Sequence, residues 1–309
     1  MRLSSEQKNS YLNSGILLLT ATIWGLAFIA QSVAMDVIGP LTFAGARSVL
    51  AVLALTPVVL VLRRRGAVKL PTETGCDRKT FLEGGIVCGS FLFMGMALQQ
   101  TGLVYTTVGK AGFITTFYVV LVPLMGMLFG RRVGGRVWVA VGLAVAGLYY
   151  LSMTPGDFSV ARGDLYVLAS AFGYSMQIIC VAHYVQKIDG VLLSYMEMAV
   201  CAFWGVAMAV LFEAPTWTSL LQAAMPIIYA GVGSSAIGYT LQIIGQKGVN
   251  PAVASLILSL ESAISAIFAW VLLNQAMSGR EILGCVLMFA AILVSQLPAE
   301  WFIRKKSAP

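Results

Sequence analysis

The chain has 309 residues, 59% hydrophobic and only 11% charged, with a mean hydropathy of +0.86. A sequence this apolar cannot keep its hydrophobic surface inside one soluble core, so an ordinary aqueous domain is excluded and the bilayer must act as its solvent. The net charge of +7 invites a nucleic-acid partner, but the basic residues are placed to mark one side of a membrane instead.

A helix needs roughly 20 apolar residues to cross about 30 Å of hydrocarbon. Ten such stretches are predicted, at residues 15–35, 41–62, 83–103, 107–130, 134–153, 163–183, 190–212, 219–245, 249–272 and 278–297. Arg2 and Lys8 ahead of the first run have the look of a signal peptide, but the run is long and part of it belongs to a repeat. The longest polar gap, residues 63–80, is too short to fold alone. Pro155-Gly156-Asp157 reads as the turn that joins two groups of five spans. No soluble catalytic domain fits between the spans.

Numbered alternately, the connections on one side carry Arg2, Lys8, Arg63, Arg64, Arg65, Lys69, Arg78, Lys79, Arg131, Arg132, Arg136, Lys187, Lys247, Arg304, Lys305 and Lys306. Those on the other side carry only Arg162 and Arg280, sixteen against two. Positive charge collects on the cytoplasmic side, which places both termini there and supports the span count. The five cysteines show no close pairing and argue against a disulfide or metal framework.

The two groups of spans echo each other. Gly95, Leu98, Gln99 and Gly102 recur 143 positions on as Gly238, Leu241, Gln242 and Gly245, and the register continues through Ala111/Ala254 and Ile114/Ile257. An earlier echo at an offset of 148 pairs Leu17, Ala21 and Gly25 with Leu165, Ala169 and Gly173, and Trp24 with Phe172. Each offset advances five spans, an odd number, so matching helices run in opposite directions, as in carriers with one site and two alternating mouths. The expected fold is an all-α membrane protein of ten transmembrane helices arranged as two inverted five-helix repeats. Residues 1–153 would form the first repeat, 163–297 the second and 298–309 a cytoplasmic basic tail. Close-spaced small residues, as in Gly126-x-x-x-Gly130, Gly142 to Gly147 and Gly231-x-Gly233, suit tight helix packing in lipid.

An ionisable group inside hydrocarbon costs roughly 2.5 to 3.5 kcal/mol on insertion scales, so each needs a partner or a wet cavity. Glu261 stands in the ninth span beside Ser255, Ser259, Ser262 and Ser265, either in a polar lining that meets solute or protons or in a buried ion pair. Arg47 and Glu197 fall at nearly equivalent depths of the second and seventh spans, near an offset of 151. Either could face a shared cavity or bridge to the opposite half. Lys110, early in the fourth span, either snorkels to the interface or meets an anionic group. Gln99 and Gln242 are repeat mates that either bridge helices or bind a ligand, and Gln100 adds a second amide. Tyr118 is the counterpart of Glu261. Trp24, Phe28, Tyr174, Tyr239 and Trp270 are further aromatics able to shape a cavity.

The candidate solute contacts are therefore Glu261, Lys110, Gln99, Gln242, Trp24 and Tyr118, with Glu261, Arg47 and Glu197 as coupling or gating groups. They are expected to line a cavity drawn from spans one, three, four, six, eight and nine. No catalytic residue, metal site or cofactor is expected. His183 is the only histidine, and no phosphate-binding loop or nucleophile elbow occurs.

Several segments carry a family resemblance. Trp24-Gly25-Leu26-Ala27-Phe28, Phe43-x-x-x-Arg47, Leu98-Gln99-Gln100-x-Gly102, Gly109-Lys110-Ala111-Gly112-Phe113-Ile114-Thr115, Tyr239-Thr240-Leu241-Gln242 and Leu258-Ser259-Leu260-Glu261, in that order and spacing, resemble the EamA type of the drug/metabolite transporter superfamily. The chain departs from the family pattern where Gly-Glu often follows the ninth span, reading Asn274-Gln275 there and Gly130-Arg131-Arg132 at the fourth-span equivalent. The resemblance implies a bacterial inner-membrane secondary carrier that moves a small organic solute, such as an amino acid, another metabolite or a drug-like compound, generally outward. Its expected partners are that solute and the lipid bilayer, with proton coupling among the options and a monomer or homodimer as the working form. The rival reading is a non-transporting scaffold or lipid-handling subunit.

Overall fold

The computed structural model describes residues 5–130, 132–153, 160–273 and 277–296. The turn at Pro155-Gly156-Asp157, Arg131, the Asn274-Gln275 departure and the basic tail at 298–309 lie outside these residues. Among the described residues, ten helices are long and apolar enough to cross a membrane. We number them α1 (Ser5–Ala34), α2 (Pro40–Arg64), α3 (Arg78–Leu103), α4 (Val108–Leu128), α5 (Gly135–Ser152), α6 (Arg162–Tyr184), α7 (Gly190–Phe212), α8 (Ala224–Gln246), α9 (Pro251–Leu273) and α10 (Gly279–Gln296). Short helices Pro71–Thr74 and Trp217–Gln222 sit in two of the connections.

Three boundaries differ from the sequence expectation. α1 starts at Ser5, ten residues ahead of the expected run. α3 starts at Arg78, because Asp77 caps it by accepting from the Thr80 amide, and its polar first turn lies ahead of the apolar run. Trp217–Gln222 is a separate helix rather than the start of α8, its first turn capped by Thr216.

Two spans are interrupted, at equivalent places. α4 consists of Val108–Thr115 and Tyr118–Leu128, and α9 of Pro251–Leu258 and Leu260–Leu273. The interruptions fall at Thr116 and Ser259, repeat mates at offset 143. Each bends its hydroxyl back onto the preceding turn, Thr116 Oγ1 to Gly112 O and, at 3.1 Å, to Phe113 O, and Ser259 Oγ to Leu256 O at 2.7 Å. A hydroxyl that occupies a helical carbonyl bends the helix locally. α8 departs differently: Tyr229–Gly238 is π-helical, with no such segment in its counterpart α3. Long π runs are rare and collect at functional sites.

The halves interleave. α3 packs on α6 and α7, α1 on α8 and α9, α2 on α7 and α8, and α5 on α10. Glycines permit the closest crossings. A Cβ at Gly45 would lie 2.8 Å from the Gly205 backbone, and one at Gly284 would lie 2.7 Å from Gly147 O. With no hydrophobic contrast between lipid and protein, such close approach drives association. The small-residue reading holds for Gly147 and Gly231, which packs on Leu50 and Arg47, but not for Gly142, which meets nothing within 4 Å. Gly130 ends α4 at φ 76°, in the left-handed region.

The repeat register is 143 for α3/α8 and α4/α9, and the burial patterns agree with it. For α1/α6 the expected offset of 148 is overturned. At 150, the buried Leu17, Thr20, Ala21, Gly25, Ala27, Phe28 and Gln31 fall on the buried Val167, Ser170, Ala171, Ser175, Gln177, Ile178 and Val181. At 148 the buried Leu17 would fall on Leu165, which is 61% exposed. Trp24 is therefore the mate of Tyr174, not of Phe172, which faces outward. The same 150 relates α2 to α7 and makes Arg47 and Glu197 mates without remainder.

Candidate functional site

Where the interrupted α4 and α9 meet α1, α2, α3, α6 and α8, the structure forms a partly open cavity with about 480 Å³ of space between atoms. Its wall comprises Trp24, Phe28, Gln31, Arg47, Gln99, Thr115, Tyr118, Tyr174, Gln177, Ile178, Ser234, Tyr239, Gln242, Leu258 and Glu261.

Tyr118 and Glu261 touch, Tyr118 Oη donating to Glu261 Oε1 at 3.2 Å. Repeat mates can meet only near the axis relating the two halves, so this pair sits at their centre. The aromatic mates Trp24 and Tyr174 are seated alike. A Cβ at Gly238 would lie 2.6 Å from Trp24 Nε1, and one at its mate Gly95 would lie 2.9 Å from the Tyr174 ring. Trp24 packs against Tyr239 with ring centroids 4.7 Å apart and planes tilted by 52°, and donates to Ser234 O at 3.2 Å, while Tyr174 Oη donates to Gln99 Oε1 at 3.0 Å.

Arg47 is 3% exposed and crosses to the other half. Its Nε donates to Ser235 Oγ and an Nη to Ser234 Oγ, both at 2.9 Å, and the other Nη to Gln31 Oε1 at 3.2 Å. These two serines lie in the π-helical segment of α8, so the guanidinium docks where that helix is wound most loosely. Among the described residues, the hydrogen-bond partners of Arg47 and Glu261 are neutral, and neither forms an ion pair there. The Arg47 guanidinium, which keeps its proton in proteins, is thus a buried cation held by neutral hydrogen bonds.

Glu261, Gln99, Gln242, Trp24 and Tyr118 come together on one wall, with Arg47 beside them. Two candidates do not. Lys110 is half-buried in the first turn of α4, ahead of the interruption that precedes Tyr118, and it is absent from the lining. Glu197 is fully buried behind the wall, accepting from Gln177 Nε2 at 2.8 Å. The serine stripe of α9 is also corrected: the Ser255 and Ser259 hydroxyls turn back to Ala252 O and Leu256 O, and Leu258 and Glu261 face the cavity instead. Trp270 is 52% exposed and plays no part in the wall.

Gln31, Gln177 and Ser234 line the site but were not singled out from sequence. Gln31 and Gln177 have apolar mates, Val181 and Ala27, so the repeat carries no signal for them. An amide inside an apolar span was the signal available.

Ten membrane-crossing helices, two interleaved halves and a central polar cavity define the class of polytopic membrane transporters. The particular family follows from sequence: residues 14–153 and 161–296 each match the EamA-like transporter family, and the chain belongs to it. It is 28% identical to an uncharacterized transporter of Archaeoglobus fulgidus, over 94% of this chain and 87% of that one. It is 22% identical to the uncharacterized transporter YoaV of Bacillus subtilis, over 91% and 95%. It is 21% identical to the chloroplastic WAT1-related protein At3g02690 of Arabidopsis thaliana, over 95% and 72%. A solved crystal structure shares the fold, with a TM-score of 0.76 at 17% identity over 96% of this chain and 99% of that one.

Proposed function

We propose that this transporter is a secondary carrier that exports a small organic solute across a bacterial inner membrane by alternating access, with both termini in the cytoplasm. The observation that carries the reading is the contact between Tyr118 and Glu261, repeat mates that meet inside a cavity walled by both halves. A site on the axis of two inverted repeats presents nearly the same groups whichever end opens. The solute is small, in keeping with a cavity of about 480 Å³ between the halves. Its polar groups meet Arg47, Glu261 and the Gln99 and Gln242 amides, and its apolar part lies against Trp24, Phe28 and Tyr239. Glu261, whose carboxylate has a hydroxyl donor and no cation, is the group proposed to exchange a proton during the cycle.

The test is efflux from proteoliposomes loaded with a mixed pool of small metabolites, read by mass spectrometry with and without a pH gradient. One solute class is expected to leave the wild type faster than empty-vesicle controls, and Glu261→Gln is expected to lose the dependence on the gradient. Unchanged gradient-driven efflux in Glu261→Gln would remove the coupling role. No efflux of any class, together with no labelling of a Thr115→Cys variant from either side, would favour a non-transporting scaffold.

A further inference from the structure

Arg47 and Glu197 occupy one repeat position with opposite charge, and their surroundings differ in a telling way. Arg47 finds Ser234 and Ser235 on α8. The mates of those serines on α3 are Phe91 and Leu92, which offer Glu197 nothing to bond. The carboxylate turns instead to Gln177 on α6, and only its Oε1 is bonded. Oε2 is buried with no hydrogen-bond partner among the described residues. The titratable groups near enough to sense its charge are Cys88 on α3, Cys180 on α6, Cys201 on its own helix and Tyr239 on α8. None is a cation, and Arg47 is engaged elsewhere.

We propose that Glu197 is a proton-binding site behind the cavity wall, and that its state is passed to the cavity by reorientation of the Gln177 amide. An ionised carboxylate only accepts, whereas a protonated one also donates. With Glu197 ionised, Gln242 Nε2 donates to Gln177 Oε1 at 3.0 Å, and Gln177 Nε2 donates to Glu197 Oε1 at 2.8 Å. When a proton binds to Glu197, its new O–H donates to Gln177 Oε1, and the amide turns over. The reversed contacts are already close: Gln177 Nε2 lies 3.5 Å from Gln242 Oε1, and Gln242 Nε2 lies 3.4 Å from Gln246 Oε1. Gln177 and Gln242 both line the cavity, so one proton outside the wall exchanges donors and acceptors on it. No other bond is made or broken, and the proton comes from solvent and returns to it.

This rests on the carrier reading for its purpose but not for its test, which needs no solute. Purified protein in nanodiscs is titrated with buffer pH while two signals are followed. One is the infrared C=O band of a protonated carboxylic acid, and the other is the Trp24 fluorescence obtained as wild type minus Trp24→Phe. With the Glu261 carboxyl removed, Glu261→Gln is expected to show a titrating acid band that is lost when Glu197→Gln is added to it. The Trp24 signal is expected to titrate with the same midpoint in the wild type. In Gln177→Leu the band persists while the Trp24 response is lost. An acid band unchanged when Glu197→Gln is added, or a Trp24 response unchanged in Gln177→Leu, overturns the proposal. If Glu197→Gln is not monodisperse, Glu197→Asp replaces it; a moved midpoint supports the site and an unmoved one overturns it. Efflux without the band would sink this inference and leave the carrier, and the band without efflux would do the reverse.

Discussion

The two halves share a plan and differ in their polar groups. Both break the fourth helix of the repeat at a hydroxyl residue, Thr116 or Ser259, and both seat an aromatic ring, Tyr174 or Trp24, over a glycine, Gly95 or Gly238. At the same positions they exchange Tyr118 for Glu261, Arg47 for Glu197, and a straight α3 for an α8 with a π-helical segment. The shared features are those that let helices bend and cross, and they are mostly small residues or backbone. The unshared ones carry charge or hydrogen bonds. Inverted duplication thus conserves the hinge geometry while leaving the chemistry of each half free to diverge.

The largest expected effect tests the shared plan. Gly205→Val puts methyl groups where a Cβ alone already lies 2.5 Å from Gly45 Cα, at the crossing of α2 and α7. Backbone cannot yield as a side chain can, so a loss of roughly 3 kcal/mol or more is expected, read as a collapse of monodisperse yield in detergent. Gly142→Val, with nothing within 4 Å, should leave the yield close to wild type. Equal behaviour of the two variants would break the argument that close crossings hold the halves together.

Next come the unshared groups. Tyr118→Phe leaves the buried Glu261 Oε1 without its donor, at a cost of about 1–3 kcal/mol. Efflux is expected to fall about 5- to 150-fold, with one factor of ten for each 1.4 kcal/mol if the loss appears in the transition between states. Efflux at wild-type rate would mean that the central contact is incidental. A smaller loss, about 1 kcal/mol in thermal stability, is expected for Ser235→Ala, which removes one of three bonds from Arg47. The mate substitution, Leu92→Ala, should act through lost packing instead and cost about 2–5 kcal/mol. If Ser235→Ala costs the more of the two, the reading of that position as polar in one half and apolar in the other fails.

The smallest effect lies outside the bilayer. Hydrogen bonds from Thr80 hold the Asp77 carboxyl below the usual carboxylate range. Its contribution is therefore present above the ordinary aspartate range and disappears as pH falls through the lowered folded value. Asp77→Asn, which still caps α3, should flatten a slight acid sensitivity of the melting temperature. A melting curve as acid-sensitive as wild type would assign that sensitivity to other groups.

Most of the architecture was legible in the sequence. Hydrophobic length sets the ten spans, and Gln99/Gln242 and Tyr118/Glu261 were found from the repeat alone. The α1/α6 register was not. A shift of two residues turns a helix by about 200°, but in a span that is apolar on every side, lipid-facing and buried residues look alike. Leu165 and Phe172 therefore matched as well on paper as Val167 and Tyr174. Lys110 and Glu197 were legible as buried ionisable groups, but their distance from the cavity was not.

The sequence by itself determined the class of solvent, the number of crossings, the duplication and the small set of polar groups placed in the membrane, because each depends on local composition or on spacing along the chain. Only the tertiary structure decided which of those groups share a wall, that Arg47 docks on the π-helical segment of α8, and that Glu197 stands behind Gln177. Those outcomes depend on how helices from opposite halves cross. Crossing is set by glycine contacts and bent backbones between residues that can be more than 150 positions apart, such as Gly45 and Gly205.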